Sequence, residues 1–303
     1  MPKRVLAICC SDIHLSLTSP IARSVEEDWL ECMGRQLDEL KALSEEHDAP
    51  IVVAGDLFDR HDPKPELINF ALARFPKCYA VPGQHDMIHH RLGDIKKTAY
   101  YTLVQAGIVT NLKPGRPVDV GGLTLHGFPW GTKLHPLRTK PHDLVLDIAV
   151  VHKYMWKNLD SFYSPDDAHA SVVAPNLKGY NIVVIGDNHQ PWHGKYNGGT
   201  TFWNCGGFYR RRSDEVNHKP SVGFIMSDGT MERYYLDVSK DKFLDQKDIA
   251  AVKGLDSEGF LNELASLGDT PVSFREAIIR AMERERVSEG VRNIVTKAME
   301  VQQ

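Results

Sequence analysis

Ile51-Val-Val-Ala-Gly-Asp-Leu-Phe-Asp59 begins with four apolar residues and stops on a glycine followed by two carboxylates. Such a short Val/Ile-rich run reads as a buried strand, and Gly55 lets the backbone approach closely where Asp56 leaves it. The arrangement recurs on either side. Ser11-Asp-Ile-His14 follows the run at 5–10, Pro82-Gly-Gln-His-Asp86 follows 77–81, His152 ends the run at 144–151, and Gly186-Asp-Asn-His189 follows 181–185. In layered α/β folds the carboxyl ends of strands face a shared crevice, so these five distant loops are expected to converge.

The surroundings agree with an α/β class. Between the first strands, Leu30, Met33, Leu37 and Leu40 keep one helical face, and Ser24 with Glu27 reads as a capping box ahead of them. Residues 65–75 and 94–106 read as two further helices, the second stopped by Gly107. Beyond Gly107 the texture changes to short strands at 118–120, 123–126, 144–151, 181–185, 200–204 and 221–226. Ser227-Asp-Gly229 then turns into 231–238, which together suggest a second sheet. After Val238 acidic and basic residues alternate. Two helical stripes follow, led by Phe274 and Val291, so a boundary is expected near 238–243.

Composition excludes several classes. At 303 residues, 42% hydrophobic and 25% charged, the chain is expected to be soluble, to fold around a sizeable core and to carry no membrane span. The amino terminus lacks the pattern of a secretory leader, so a cytoplasmic location is expected. Five cysteines without Cys-x-x-Cys spacing read as reduced core residues, not as thiolate ligands. A net charge of −4 decides little, because carboxylates around divalent ions would leave less free negative charge than the count implies.

The donor types narrow the chemistry. Asp12 and His14, two apart in extended chain, would project to one side and reach one ion. Carboxylate and imidazole donors without thiolates suit Mn, Fe or Zn in an open site. Two ions about 3.5–4 Å apart, sharing a carboxylate, would activate water and stabilise phosphoryl oxygens, and Asp56 is the expected bridge.

These motifs resemble the calcineurin-like metallophosphoesterase superfamily, whose signatures run Asp-x-His, Gly-Asp-x-x-Asp, Gly-Asn-His-Asp, a lone His after a strand, and Gly-His-x-His. The resemblance implies a four-layer α/β/β/α sandwich over residues 1–238, with a smaller, mainly helical domain at 239–303. It implies one divalent ion on Asp12, His14, Asp56 and His189 and another on Asp56, Gln84, His152 and Asp187. His85 falls on the position of the catalytic histidine that protonates the leaving oxygen, and Asp86 is expected to orient it. Asp59 reads as a loop-fixing residue. Two positions depart from the pattern, Gln84 for Asn and Asp187 for the first His of the last motif. Both concern the second ion, and a carboxylate there favours Mn or Mg over Zn.

Gly55-Asp-Leu-Phe-Asp-Arg60 and Val81-Pro-Gly-Gln-His-Asp86 look most like the DNA-repair exonuclease branch, whose bacterial member is SbcD. That resemblance covers about residues 4–238 and implies Mn-dependent hydrolysis of DNA phosphodiesters alongside an SbcC-like coiled-coil ATPase. The compact length looks like phage-encoded members, for which the location is the host cytoplasm. Tyr209, Arg210 and Arg211 are candidate substrate contacts, the ring for base stacking and the guanidinium groups for phosphates. Residues 94–106 would form either a homodimer contact, as in the family, or ordinary core. Two rival readings are a hydrolase of small phosphodiesters or phosphoproteins, and a DNA-end-binding scaffold whose second metal site has lapsed.

Overall fold

The computed structural model describes residues 3–138, 145–157 and 165–245. The chain divides into two compact units. The first comprises Met1–Leu17, Leu30–Arg210 and Lys219–Ser239; the second comprises Thr18–Trp29, Arg211–His218 and Lys240–Gln303. The helical stripes expected near Phe274 and Val291 lie outside the described residues.

The first unit is built on parallel strands. β1 (Val5–Cys10), β2 (Ile51–Val53), β3 (Cys78–Ala80) and β4 (Val109–Asn111) run parallel, each paired with the next. Joining them are α1 (Trp29–His47), α2 (Pro65–Arg74) and α3 (Ala99–Gln105). The chain then forms β5 (Val118–Val120), β6 (Leu123–Phe128), β7 (Leu146–His152), α4 (Ala170–Val173), β8 (Ile182–Gly186), β9 (Trp192–Tyr196), β10 (Thr200–Asn204), β11 (Ser221–Met226) and β12 (Met231–Tyr235). Among the described residues these make two six-stranded sheets, ordered β12-β11-β1-β2-β3-β4 and β5-β6-β7-β8-β10-β9. β6, β7, β8 and β10 are parallel, so the second sheet also has a shared carboxyl edge.

The two-residue alternation of strands explains the layering. Ala7 and Cys9 of β1, with Val52 and Ala54, meet Leu125, Ile148, Val150 and Val184 in one core between the sheets. The alternate residues Ala149, Val151, Val183 and Ile185 face the other way, onto Ala170, Val173 and Leu177. On the far side of the first sheet, Tyr100 of α3 donates its hydroxyl to Ala80 O at 2.9 Å, and the His47 ring of α1 lies 5.1 Å from that of Phe224. The result is the expected α/β/β/α sandwich. All five cysteines are free and buried.

The structure alters several local expectations. β11 and β12 return to the first sheet, β11 pairing antiparallel with β1, whereas a second-sheet place was expected. β4 and β9 were not anticipated. The expected helix at 94–106 breaks at Thr98, whose hydroxyl accepts Tyr101 N–H and caps a separate α3. The Ser24 box does not start α1: Pro20 leads a single helical turn over Ile21–Arg23, and Ser24 Oγ donates back to Ile21 O at 2.9 Å.

In the second unit, the buried Arg23 guanidinium pairs with Glu26 and Asp241. The Trp29 and Phe243 rings lie 5.4 and 4.9 Å from it, and Leu244 N–H donates to Ala22 O. No helix among the described residues is long and apolar enough to cross a membrane.

Candidate metal centre

The carboxyl ends of β1, β2 and β3 in one sheet and of β7 and β8 in the other carry the five loops singled out above. The first two loops stay paired beyond their strands. Asp12 N–H donates to Gly55 O at 3.1 Å, His14 N–H to Asp56 O at 2.9 Å and Leu15 N–H to Leu57 O at 2.9 Å. These backbone rails fix Asp12, His14 and Asp56 relative to one another without help from any ligand.

Asp12 and His14 do not share a face by extended alternation. Both have left-handed backbones, φ 53° and 48°, as do Asp56 at 53° and Asp187 at 87°. This region is sparsely populated by residues other than glycine, and strain of this kind persists only where the surrounding structure fixes it. Here the rails and the close packing of Gly83 do so. A Cβ on Gly83 would come within 2.0 Å of Asp56 Oδ1, so only glycine fits.

The side chains converge into three acid–imidazole groups among the described residues, one of them His14, Asp59 and His85. Asp12, His14 and His189 offer ligand atoms within 4.8 Å of one another, as do Asp12, Asp56 and His152. Asp56 Oδ2 stands 3.6 Å from His14 Nε2 and 3.3 Å from His152 Nε2, between these last two groups. His14 Nε2 and His189 Nε2 face each other at 3.2 Å. His152 Nδ1 donates to Ala54 O at 2.5 Å, so the neutral ring turns a lone pair toward a carboxylate oxygen.

Asp56 Oδ2, His152 Nε2 and Gln84 Oε1 are buried in this centre and make no hydrogen bond. With the His152 ring neutral all three are acceptors, so a metal ion, or for Asp56 and His152 a proton between them, would satisfy them. A buried acceptor without a partner is costly. Oxygen and imidazole donors are the set that suits a divalent ion, so the residues present fit the metal that the motifs imply.

Electrostatics in the metal-free chain say the same. Burial alone would push Asp56 up, but the charge and hydrogen bond of His152, then His14 and His85, hold it below the ordinary carboxylate range. Burial would lower His152, yet Asp56, with Asp12 and Asp187 behind it, raises it to about 10. A proton on His152 would stand between its ring and Asp56. Burial raises Asp12, partly offset by His189 and His152.

Gln84 and His85 enter on the loop after β3. Gln84 Nε2 donates to Asp187 Oδ1 at 2.8 Å, and Asp187 N–H donates to Asp12 Oδ1 at 2.9 Å. His85 is exposed, its ring centroid 4.8 Å from that of His14, and its Nδ1 donates to Asp59 O at 2.9 Å. That leaves Nε2 as the nitrogen able to exchange a proton with a substrate.

The structure places the remaining candidates as follows. Asp86 does not orient the His85 ring; that is done by the main-chain carbonyl of Asp59. The Asp86 carboxylate is fully buried and accepts N–H bonds from Leu57, Phe58 and Gly83, tying the β2 and β3 loops together. Tyr209 is 3% exposed and donates its hydroxyl to Met33 O at 3.0 Å, so its ring belongs to the core and offers no stacking face. Arg210 is 9% exposed, with Nη2 bound to Val238 O at 2.9 Å. Arg211 belongs to the second unit, where its backbone N–H donates to Glu215.

The sequence profile of the calcineurin-like phosphoesterases matches residues 6–194, from the start of β1 through the last of the converging loops. The chain belongs to the calcineurin-like phosphoesterase family. Within that family it is a metallophosphoesterase, with acid–imidazole groups that could hold divalent ions. No curated protein matches it. Solved structures with a similar course include a 5'-nucleotidase precursor from Thermus thermophilus, 13% identical over 78% of this chain and 54% of that one, with a TM-score of 0.45. Another is a 5'-nucleotidase from Candida albicans, 12% identical over 80% and 57%, with a TM-score of 0.42. This chain spans little more than half the length of those two proteins.

Main-chain partners, two carbonyl acceptors and one N–H donor, are invisible in the sequence. Ala54 O on His152, Asp59 O on His85 and the Asp187 N–H on Asp12 orient the site, yet none leaves a side-chain signature.

Proposed function

We propose that this metallophosphoesterase is a Mn-dependent DNA exonuclease that acts in DNA repair or end processing as the nuclease subunit beside an SbcC-like coiled-coil ATPase. One ion would be held by Asp12, His14, Asp56 and His189, and the other by Asp56, Gln84 and His152, with the Asp187 carboxylate beside Gln84. When bound, such ions supply Lewis acidity to the phosphoryl oxygens and a nucleophile at neutral pH.

His85 carries the reading on the protein side. Its Nδ1–H is committed to Asp59 O, so a protonated ring presents Nε2–H to the leaving oxygen. After that proton is given up, the neutral tautomer keeps the same bond to Asp59, and the ring need not turn. The ring is exposed, which suits a polymer end that must approach from solvent. The likeness of residues 55–60 and 81–86 to the exonuclease branch supports DNA as the polymer.

The burial of Tyr209 and Arg210 favours a second reading, a hydrolase of small phosphodiesters or phosphoproteins on the same centre. Retained acceptors at both ion positions speak against the scaffold reading. Mn-dependent release of nucleotides from end-labelled linear duplexes of increasing length, compared with bis(p-nitrophenyl) phosphate, separates the remaining two. The exonuclease reading expects turnover on duplex DNA that is lost in His85→Ala. Turnover of the small diester, with none on any duplex in the presence or absence of an ATPase partner, would overturn it.

A further inference from the structure

The two positions that depart from the family pattern, Gln84 and Asp187, are far apart in sequence and touch in the fold. Gln84 Nε2 donates to Asp187 Oδ1 at 2.8 Å, while Gln84 Oε1 is buried without a hydrogen bond. The carboxylate decides which way the amide lies. Turning it over would set Oε1 against another acceptor and bury an NH2 group in place of the oxygen. Residue 187 also acts in the other direction, because its backbone N–H reaches both Asp12 oxygens, at 2.9 and 3.2 Å.

We propose that Asp187 is a positioning residue: its carboxylate holds the Gln84 amide with Oε1 presented as the neutral oxygen ligand of the second ion, and its main chain holds Asp12 for the first. This rests on the two-ion reading above and revises the expectation that Asp187 itself ligates. A glutamine has one more rotatable bond than asparagine and so loses more freedom when fixed. A carboxylate acceptor at 187 supplies the restraint, so the two departures compensate each other. The left-handed φ of 87° at Asp187 aims the N–H and the side chain at different partners. Asparagine tolerates that conformation, and glycine adopts it freely.

The test is Mn stoichiometry and affinity, read by elemental analysis and by electron paramagnetic resonance of free Mn, on the full chain and on Asp187→Gly, Asp187→Asn, Gln84→Ala and the double variant Asp187→Gly with Gln84→Ala. Loss of the groups that orient ligands typically weakens metal binding about 10–100-fold. Asp187→Gly should weaken the second ion by that order and leave the first in place. Asp187→Asn, whose amide oxygen still accepts from Gln84, should restore it, and the double variant should bind no worse than Gln84→Ala. An Asp187→Asn protein as weak as Asp187→Gly, or a double variant weaker than Gln84→Ala, would show a direct ligand and overturn the proposal. A wild-type chain that takes up one ion or none overturns the two-ion reading itself and the proposal with it.

Discussion

His152 Nε2 stands 3.3 Å from Asp56 Oδ2, and the other ring nitrogen of His152 is bound to Ala54 O at 2.5 Å. Two acceptors are thus held face to face by the scaffold, and only a proton or a metal ion reconciles them. The sandwich builds this pair from its two halves, since Asp56 leaves β2 of one sheet and His152 ends β7 of the other.

The metal-free chain should carry that proton, with a definite consequence for stability. His152 is raised from 6.5 to about 10, so its contribution is complete below pH 6.5 and is lost as pH rises toward 10. The slope of this one group is at most about 1.4 kcal/mol per pH unit. The stability of the metal-free wild type, read by urea unfolding between pH 6.5 and 10, should fall more steeply with pH than that of His152→Gln. Equal slopes would remove the proton from this position. Saturation with Mn should flatten the wild-type curve, because the ion takes the proton's place.

Gly83→Ala tests the packing that sets Asp56. The new methyl would meet Asp56 Oδ1 at 2.0 Å, with backbone close behind, so the carboxylate must shift. Overpacking of this kind costs about 1–3 kcal/mol. Mn affinity should drop along with stability. Gly93→Ala, which meets nothing within 4 Å, is the control and should leave both unchanged.

Tyr209→Phe separates core from substrate contact. Removing the hydroxyl that donates to Met33 O should cost about 0.5–1.5 kcal/mol of stability, read by chemical denaturation. DNA binding in a mobility-shift assay should not change. Weaker binding at unchanged stability would return Tyr209 to the substrate path.

Arg23→Ala should be the most damaging change among the described residues of the second unit. It leaves Glu26 and Asp241 buried without their guanidinium, and breaking a buried ion pair from one side costs about 3–5 kcal/mol. Denaturant titration measures it, and a loss below about 1 kcal/mol would mean that these carboxylates find water instead.

Much of this was legible in the sequence, and what was not has physical causes. The five loops could be read because strand ends carry their residues in a short local pattern, and parallel strands bring such ends together. The geometry inside the loops could not. Asp12 and His14 meet through left-handed backbones held by the Gly55 and Asp56 carbonyls, a tertiary arrangement that no spacing predicts. Tyr209 and Arg210 look the same in sequence whether an aromatic–arginine run is exposed or buried, and α1 decides the matter by offering Met33 O. β11 joins the first sheet because its partner β1 lies some two hundred residues earlier, and local alternation carries no record of pairing at that range.

The central claim is that Asp56 holds the metals and His85 moves the proton. The most direct measurement is metal content by elemental analysis of wild type, Asp56→Ala and His85→Ala, each dialysed against the same Mn buffer. The account predicts two ions per chain in wild type and in His85→Ala, and little or none in Asp56→Ala. Equal loss in both variants, or full occupancy in Asp56→Ala, would contradict it.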